Sequence, residues 1–202
     1  MIQNLAADVE AFTSNVFLVD GGDGPDDPAA ENRTVLVDAG NEFDVVSRTE
    51  QRADGLDAVV LTHTHPDHVG NVERVTAAFD VDVWGFDPGR DLVDHAIDDG
   101  ETLRFGAHDY RALHTPGHKD DHLCFRRLDG AVVFAGDLVF ANGGFGRTDL
   151  EEGDRRRLVE SIERLQDATD GDLRALHAGH GPSVERNARD HVTLALRAAR
   201  TR

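Results

Sequence analysis

Four side chains of the kinds that bind metal ions stand within the six positions from His63 to His68. The segment reads Thr62-His63-Thr64-His65-Pro66-Asp67-His68 and directly follows the apolar run at residues 58–61. Imidazole and carboxylate groups suit zinc and similar first-row ions, and a catalytic ion needs three protein ligands and an open position for water. Four ligands are more than one open site needs. The segment therefore predicts two ions that share ligands from elsewhere in the chain.

Three further candidate ligands stand beside glycines later in the chain. His118 ends the run Thr-Pro-Gly-His, Asp137 follows Gly136 at the end of an apolar run, and His180 lies in the run Ala-Gly-His-Gly-Pro. Glycine lets a backbone turn sharply and approach a metal centre closely. These three positions are therefore suitable sources of the remaining ligands.

The elements that must position these residues are short. Short apolar runs alternate with helical spacing of apolar residues, which predicts a layered α/β or α+β domain. The predicted strands are residues 16–19, 35–37, 58–61, 81–83, 124–125, 131–134 and 173–176. Helical spacing appears in residues 69–79, in Leu158-Ile162-Leu165 and in Val192-Leu194-Leu196. Residues 20–32, rich in glycine, proline and acidic side chains, predict a surface loop.

The two halves of the chain repeat one arrangement. Residues 35–38 followed by 59–63 resemble residues 132–137 followed by 173–180. In each half an apolar run ends in an aspartate, and a later run leads into a loop that carries a histidine. Because side chains on rigid strands converge where the strands end, we expect the site at these ends.

The four motifs together resemble the metal-binding motifs of the metallo-β-lactamase superfamily. His-x-His-x-Asp-His, Thr-Pro-Gly-His, the Gly-Asp after a strand and Gly-His-Gly-Pro occur in that family's order, and the resemblance spans residues 16–182. It implies an α+β fold, a four-layer αββα sandwich, as a single domain over residues 1–202. It also implies two divalent metal ions, with zinc as the first choice and iron or manganese as alternatives.

The resemblance implies a role for each residue that matches a motif. The first metal would be bound by His63, His65 and His118, the second by Asp67, His68 and His180, and Asp137 would bridge the two. Asp38, at the end of the run Val35-Leu36-Val37-Asp38, would hydrogen-bond beside the ligands. The expected nucleophile is a metal-bridged hydroxide, with Asp67 and Asp137 as the catalytic carboxylates.

Within the superfamily the chain looks most like the glyoxalase II-like subgroup. Residues 136–150, together with Thr-Pro-Gly-His and Gly-His-Gly-Pro, carry this resemblance. The segment Gly146-Arg147-Thr148-Asp149 within them also occurs in related persulfide dioxygenases that use a single iron. The subgroup implies hydrolysis of a hydroxyacylglutathione-type thioester, a small-molecule substrate. Full-length glyoxalase II has a C-terminal helical region that grips glutathione, whereas about twenty residues follow Pro182 here, so the thiol carrier stays open.

Other functions rank behind the thioesterase, and persulfide dioxygenase is a lower-ranked one within the superfamily. The alternative is a ribonuclease of the same superfamily, which would cleave RNA with the same pair of ions. No insertion or basic stripe suited to holding RNA is visible in the sequence, so the ribonuclease stands second. A metal-binding scaffold without catalysis stands third, because the ligand set is full.

The remaining histidines and the only cysteine have simpler interpretations. Four histidines lie outside the motifs and are expected to be solvated or locally hydrogen-bonded: His95, His108, His114 and His191. For His122 and His177, which stand near presumed ligands, packing is favoured over a role beside the metals. Cys124 is expected to be a small buried residue on a strand. No serine-nucleophile elbow and no Walker-type phosphate loop occurs.

The composition limits the setting of the protein. The formal net charge is −18 in 202 residues, and Lys119 is the only lysine. Acidic residues spread along the chain, together with arginine in place of lysine, suggest adaptation to a salty cytoplasm. No apolar stretch long enough to span a membrane and no signal-peptide pattern occurs, so a cytoplasmic protein that does not bind membranes is expected. The oligomeric state is not indicated.

The charge distribution predicts that stability depends on salt. Closely spaced carboxylates repel each other, and molar salt shortens the Debye length to about 3 Å. We expect the melting temperature to rise from low to molar salt, as measured by thermal unfolding followed by circular dichroism. A melting temperature that stays flat or falls over this range would contradict the prediction.

Overall fold

The computed structural model describes residues 1–21, 32–169, 171 and 173–201. Its backbone forms two compact units. The first unit comprises residues 1–97 and 102–110, and the second comprises residues 98–101 and 111–202. Of the predicted surface loop at residues 20–32, residues 22–31 lie outside the described part of the chain.

The first unit contains a six-stranded sheet with the strands in the order β1-β2-β3-β4-β5-β6. Strands β1, β2 and β3 pair antiparallel, and the pairs from β3 to β6 are parallel. The strands are β1 (Ile2–Asn4), β2 (Phe17–Val19), β3 (Val35–Val37), β4 (Ala58–Val60), β5 (Val83–Gly85) and β6 (His95–Ala96). The helices are α1 (Val45–Glu50), α2 (Pro66–Val69) and α3 (Val72–Phe79).

The core of the first unit forms where one face of this sheet meets helices. Alternate strand residues such as Leu36 and Val59 join Val72 and Val75 of α3 in one buried apolar cluster. This arrangement follows from the period of two in a strand, which sends every second side chain to the same face. Residues on the opposite face of the same strands, such as Val35 and Val37, are buried as well.

The second sheet has five strands in the order β11-β10-β9-β8-β7. The strands are β7 (Thr102–Phe105), β8 (His108–His114), β9 (Leu123–Arg127), β10 (Val132–Gly136) and β11 (Ala175–Ala178). Strand β10 pairs antiparallel with β9 and parallel with β11. The helices of the second unit are α4 (Arg155–Ala168) and α5 (Ala188–Thr201), with a short 3-10 turn at Ala141–Gly143.

The core of the second unit joins its sheet to the two long helices. Leu158 and Ile162 of α4 and Val192 of α5 are buried in one apolar cluster with Val133 and Leu176 of the sheet. Leu194 is an exception to the predicted apolar face of α5, because it is 46% exposed. Helical geometry explains the correction, since a residue two positions from Val192 and Leu196 points away from their common face.

The repeat seen in the sequence is present in the structure. In the first unit the parallel pair β3–β4 is followed by Asp38 after β3 and by His63 after β4. In the second unit the parallel pair β10–β11 is followed by Asp137 after β10 and by His180 after β11. Each unit therefore presents an aspartate and a histidine from the same end of two paired strands.

Other element boundaries differ from the prediction. The helix predicted at residues 69–79 is divided at Gly70 and Asn71, because the Asn71 N–H donates to Gly40 O at 3.0 Å instead of to the carbonyl four residues before it in the chain. The strands predicted at 81–83 and 173–176 begin two residues later, at Val83 and Ala175. The sequence analysis missed β1, β6, β7, β8 and α1, whose apolar residues are interrupted by polar ones.

Among the described residues, none of the helices has both the length and the apolar character that crossing a membrane would require. The prediction of a single domain over residues 1–202 stays a prediction.

Two leucines of α5 provide a matched test of the core of the second unit. Leu196 is 5% exposed, whereas Leu194 is 46% exposed. We expect Leu196→Ala to lower the free energy of unfolding by about 2–5 kcal/mol through loss of burial and creation of a cavity. Leu194→Ala should change it by less than about 1 kcal/mol. Urea unfolding at constant high salt measures both, and equal effects would contradict this packing of α5.

Candidate metal centre

Asp38 holds in place the segment of the first unit that contains four predicted ligands. Its buried carboxylate accepts hydrogen bonds from the Thr62 N–H at 2.8 Å and from the Thr62 hydroxyl at 2.8 Å. The same carboxylate accepts from His68 Nδ1, also at 2.8 Å. Asp38 therefore contacts a predicted ligand and the residue before another, as the sequence analysis expected of it.

These hydrogen bonds determine which nitrogen of each neighbouring imidazole carries a lone pair. A carboxylate only accepts, so the proton of neutral His68 lies on Nδ1 and the lone pair lies on Nε2. Thr62 donates its hydroxyl proton to Asp38, so the Thr62 oxygen accepts from His63 Nδ1 at 3.1 Å. The lone pair of His63 is therefore on Nε2 as well. A metal ion binds the nitrogen that carries the lone pair.

His63 and His65 present nitrogens to a common point. His63 Nε2 and His65 Nδ1 are 3.1 Å apart. Two imidazole nitrogens bound to one tetrahedral zinc ion at about 2.0–2.1 Å would be separated by roughly 3.3 Å. The spacing of this pair therefore suits a shared ion. His63 is buried and His65 is partly buried, as expected of ligands that follow a buried strand.

Asp67 and His68 lie on the short helix α2, which begins at Pro66. Asp67 Oδ2 is 4.0 Å from His68 Nε2, the nitrogen that carries the lone pair. The backbone of α2 is fixed from outside, because the Ala39 and Gly40 N–H groups both donate to His68 O at 2.9 Å. The first unit therefore offers a second pair of donors beside the His63–His65 pair.

The second unit supplies the remaining three predicted ligands. His118 Nδ1 donates to Arg147 O at 2.8 Å, which leaves the lone pair on Nε2. Asp137 Oδ2 lies 3.5 Å from this Nε2 and 3.4 Å from His180 Nε2. One carboxylate oxygen thus stands between two histidines that the family resemblance assigns to different ions. This position is suitable for a bridging ligand.

Two positions near His118 leave no room for a side chain, so both must be glycine. Gly117 has φ +128°, and a Cβ placed there would lie 2.2 Å from Leu158 N. A Cβ on Gly146 would lie 2.0 Å from Asp137 O and 2.8 Å from His118 Cγ. Any larger residue at these positions would displace the backbone that carries the predicted ligands.

The buried lysine Lys119 was not singled out by the sequence analysis. It follows His118 directly, and its ammonium group pairs with Glu152 from the loop that also contains Arg147. Asp154 N–H, in the same region, donates to Gly117 O at 2.8 Å. The pair therefore fastens this loop to the turn that carries His118. The position of Lys119 directly after a predicted ligand was the feature of the sequence that could have indicated this role.

The histidines outside the motifs have local partners, as expected. His95 Nε2 is 2.9 Å from Asp82 Oδ2, His114 Nε2 is 2.7 Å from Asp120 O, and His191 Nδ1 accepts from Asn142 N–H at 2.7 Å. For His108 the prediction of a solvated side chain agrees with its exposure.

His177 and His122 differ in their relation to the predicted ligands. His177 is stacked on Phe134, and burial lowers the pKa of His177 to about 4, so it is neutral near pH 7. Packing describes His177 well. His122 instead accepts a hydrogen bond from the Asp137 N–H at 3.0 Å, so packing alone does not describe it.

Cys124 is a buried strand residue, as predicted. Its side chain is fully buried in β9, and burial raises the pKa of the Cys124 thiol to about 12. Because the thiolate is the reactive form, a thiol with this pKa is a poor nucleophile near neutral pH. Covalent catalysis by Cys124 is therefore unsupported.

The donors of the two units fit first-row divalent ions. Each unit offers imidazole nitrogens together with a carboxylate, the ligand types that zinc, iron and manganese accept. The tautomers of His63, His68 and His118 are set by partners on Nδ1, which leaves Nε2 for an ion. Hydrogen bonding of the far imidazole nitrogen is characteristic of metal-binding histidines.

Comparison with known protein families identifies the chain. The model of the metallo-β-lactamase superfamily matches residues 9–187. The chain belongs to this superfamily. The match includes every predicted ligand and both halves of the internal repeat.

Curated members of the superfamily resemble the chain at moderate identity. Hydroxyacylglutathione hydrolase GloC of Haemophilus influenzae is 30% identical over 174 residues, covering 75% of this chain and 81% of that protein. Hydroxyacylglutathione hydrolase of Francisella tularensis is 33% identical over 122 residues. The second match covers 59% of this chain and 47% of the relative, so it spans about half of that relative's length.

Solved structures of other proteins have a similar fold. The di-iron-bound form of TTHA1623 is 30% identical with a TM-score of 0.71, covering 98% of this chain and 96% of that one. ETHE1 from Myxococcus xanthus is 23% identical with a TM-score of 0.74, covering 100% and 90%. The metallo-β-lactamase fold class predicted from the sequence is confirmed by these superfamily matches.

The raised pKa of Cys124 predicts that the native protein resists thiol reagents. At pH 8 a thiol with a pKa of about 12 is ionised in only about one molecule in ten thousand. Ellman's reagent should therefore label native protein very slowly and unfolded protein rapidly and stoichiometrically. Absorbance of the released thiolate measures both rates. Rapid labelling of protein that circular dichroism shows to be folded would contradict the burial of Cys124.

Proposed function

We propose that this chain is a binuclear metallohydrolase that cleaves a thioester of the hydroxyacyl-thiol type. The observation that carries the proposal is the position of Asp137. Its Oδ2 lies 3.5 Å from His118 Nε2 and 3.4 Å from His180 Nε2, which suits a carboxylate shared by two ions. Membership of the metallo-β-lactamase superfamily supports the same interpretation.

The proposed ligand set is the one expected from the sequence. The first ion is assigned to His63, His65 and His118, the second to Asp67, His68 and His180, and Asp137 to both. Three features support the assignment: the 3.1 Å spacing of the His63 and His65 nitrogens, the tautomers set by Asp38, and the order of the motifs. Zinc is the proposed metal, and the di-iron form of TTHA1623 supports iron as an alternative.

When bound, two divalent ions would supply a hydroxide near neutral pH, because they lower the pKa of water, and they would polarise the carbonyl under attack. The protein residues provide position. Asp38 keeps His68 in the tautomer that binds metal, and Arg147 O does the same for His118. Asp67 is proposed to orient the attacking water and to receive its proton. Water and thioester become a hydroxy acid and a free thiol.

The choice of a thioester rests on the curated relatives. GloC of Haemophilus influenzae is named for hydroxyacylglutathione hydrolysis, and it is 30% identical over most of its length. Which thiol carries the acyl group of the substrate is a separate question. Two thioester substrates answer it, one with the hydroxyacyl group on glutathione and one with the same group on N-acetylcysteamine. Hydrolysis of both would show that a thioester is sufficient, whereas hydrolysis of the first alone would show that glutathione is required.

The experiment combines metal content with hydrolysis. Chelator-treated protein is reloaded with Zn²⁺ at high salt, and elemental analysis should give up to two ions per chain. S-lactoylglutathione should then be hydrolysed, as measured by release of thiol. We expect Asp137→Ala and His65→Ala to lower turnover by more than about 100-fold, since loss of a ligand should exceed the effect of losing an outer partner.

Matched controls keep lost activity apart from unfolding. Cys124→Ala and His191→Ala remove a cysteine and a histidine that lie outside the proposed ligand set, and both should keep turnover within a few-fold of wild type. Circular dichroism confirms that each variant is folded. Metal content that never exceeds one ion, or full activity in folded Asp137→Ala, would overturn the binuclear proposal. Release of nucleotides from single-stranded RNA without thioester hydrolysis would favour the ribonuclease instead.

A further inference from the structure

His122 is a buried histidine that stands close to two proposed ligands without belonging to the ligand set. It comes immediately before β9, and its side chain is fully buried. Thr115, which follows β8, holds it from the backbone, because the Thr115 N–H donates to His122 O at 2.8 Å. The imidazole lies between Thr115 and Asp137 and contacts both of them.

The hydrogen bonds of His122 define its tautomer. The Asp137 N–H donates to His122 Nε2 at 3.0 Å. A backbone N–H only donates, so Nε2 must carry the lone pair, and the proton of the neutral ring must lie on Nδ1. His122 Nδ1 is 2.8 Å from Thr115 Oγ1, which accepts this proton. Thr115 thus stabilises the one tautomer that can accept from Asp137.

This arrangement directs both imidazole nitrogens toward protein atoms. In that respect His122 differs from His118, whose Nδ1 contacts a carbonyl and whose Nε2 lies 3.5 Å from the Asp137 carboxylate. The Nε2 of His122 faces the backbone of Asp137 instead. His122 is therefore unsuitable as a ligand and suitable for holding the peptide from which the Asp137 side chain extends.

The position of that peptide determines where the carboxylate lies. Asp137 follows Gly136, whose carbonyl accepts from the Gly179 N–H at 2.7 Å. The Asp137 peptide is thus held by Gly179 on one side and by His122 on the other. Rotation of the peptide would move Oδ2 away from its place between His118 and His180.

We propose that His122, kept in its Nδ1–H tautomer by Thr115, is a positioning residue that places the Asp137 carboxylate for both metal ions. The role of Asp137 as a metal ligand rests on the proposed function, whereas the hydrogen bonds of His122 do not depend on it. Loss of a partner that orients a ligand typically lowers metal affinity by roughly 10- to 100-fold. We expect an effect of this size when His122 can no longer accept.

The first test uses metal-free wild-type protein and requires no activity. Nitrogen-15 NMR of the histidine side chains, with His122 assigned by its loss in a variant, reports which ring nitrogen is protonated. We expect the Nδ1–H tautomer, which is the less common one for an exposed imidazole. A His122 ring in the Nε2–H tautomer would overturn the proposal.

The second test compares substitutions that keep or remove the acceptor. In His122→Gln the amide oxygen can reach the Asp137 N–H, whereas His122→Leu fills a similar volume without an acceptor. We expect the dissociation constant for Co²⁺ to rise roughly 10- to 100-fold in His122→Leu, with an altered visible absorption spectrum, and to recover most of the way in His122→Gln. Equal losses in the two variants would show that shape matters and the acceptor does not, and would overturn the proposal.

Thr115 provides an independent pair should a His122 variant fail to fold. Thr115→Val removes the acceptor for the Nδ1–H of His122 and lets the ring proton move to Nε2. A protonated Nε2 cannot accept a hydrogen bond from the Asp137 N–H. Thr115→Ser keeps the acceptor. We expect Co²⁺ binding to weaken in Thr115→Val and to stay near wild type in Thr115→Ser. Wild-type binding in a folded Thr115→Val variant would overturn the tautomer argument.

A control and a second readout separate this proposal from the proposed function. His177→Leu removes another buried histidine, one that contacts Ser183 and Phe134, so it should lower stability and leave Co²⁺ affinity unchanged. Where thioester hydrolysis occurs, kcat should fall in His122→Leu more than KM rises. If no variant or wild type hydrolyses a thioester, the function fails, while the tautomer and the Co²⁺ affinities still decide the role of His122.

Discussion

The hydrogen bonds to the Asp38 carboxylate are the interaction on which the arrangement of the first unit depends. One buried group accepts from the Thr62 backbone, from the Thr62 hydroxyl and from His68 Nδ1. Hydrogen bonds to a charged group contribute about 1.5–3 kcal/mol each, and a buried carboxylate that loses its donors is strongly unfavourable. Asp38 thus links the end of β3 to both ends of the segment that carries the histidines. The proposed ligands His63 and His68 are therefore held by hydrogen bonds within the protein itself.

The two units place an aspartate at the same position in the strand arrangement, but the carboxylates of these two aspartates have different contacts. Asp38 and Asp137 both follow the first strand of a parallel pair, and in both units a histidine follows the second strand. Asp38 turns its carboxylate toward hydrogen-bond donors of the protein, whereas Asp137 places an oxygen between two imidazoles. The difference follows from what surrounds each aspartate. Thr62 and His68 together donate three hydrogen bonds to the Asp38 carboxylate. His122 instead accepts a hydrogen bond from the backbone N–H of Asp137.

The predictability of the structure from the sequence followed the strength of local signals. Strand 35–37 was predicted with its observed bounds because three β-branched or apolar residues are flanked by polar ones. The helix over 69–79 was not predicted correctly, because the backbone N–H of Asn71 bonds to the carbonyl of Gly40, a residue distant in sequence. Strand β8 alternates polar residues with Tyr110 and Ala112 and lacks an apolar run. Tertiary partners decided the last two of these cases.

The same distinction applies to the candidate site. Spacing and residue type pointed to His63, His65 and Asp137, since ligand chemistry is visible in single residues. The positioning role inferred for His122 was not visible, because it depends on which atom of the ring meets the Asp137 N–H. A hydrogen-bond direction of this kind exists only once the chain is folded. Sequence reasoning therefore found candidate ligands more readily than the groups that orient them.

The burial of Lys119 has a practical consequence for experiments on this protein. It is the only lysine in the chain, it adjoins His118, and its ammonium group is paired with Glu152. A lysine-specific endoprotease therefore has a single cleavage position, and that position becomes accessible only when the His118 turn opens. The rate of this one cut measures local opening beside a proposed ligand without a label or a mutation.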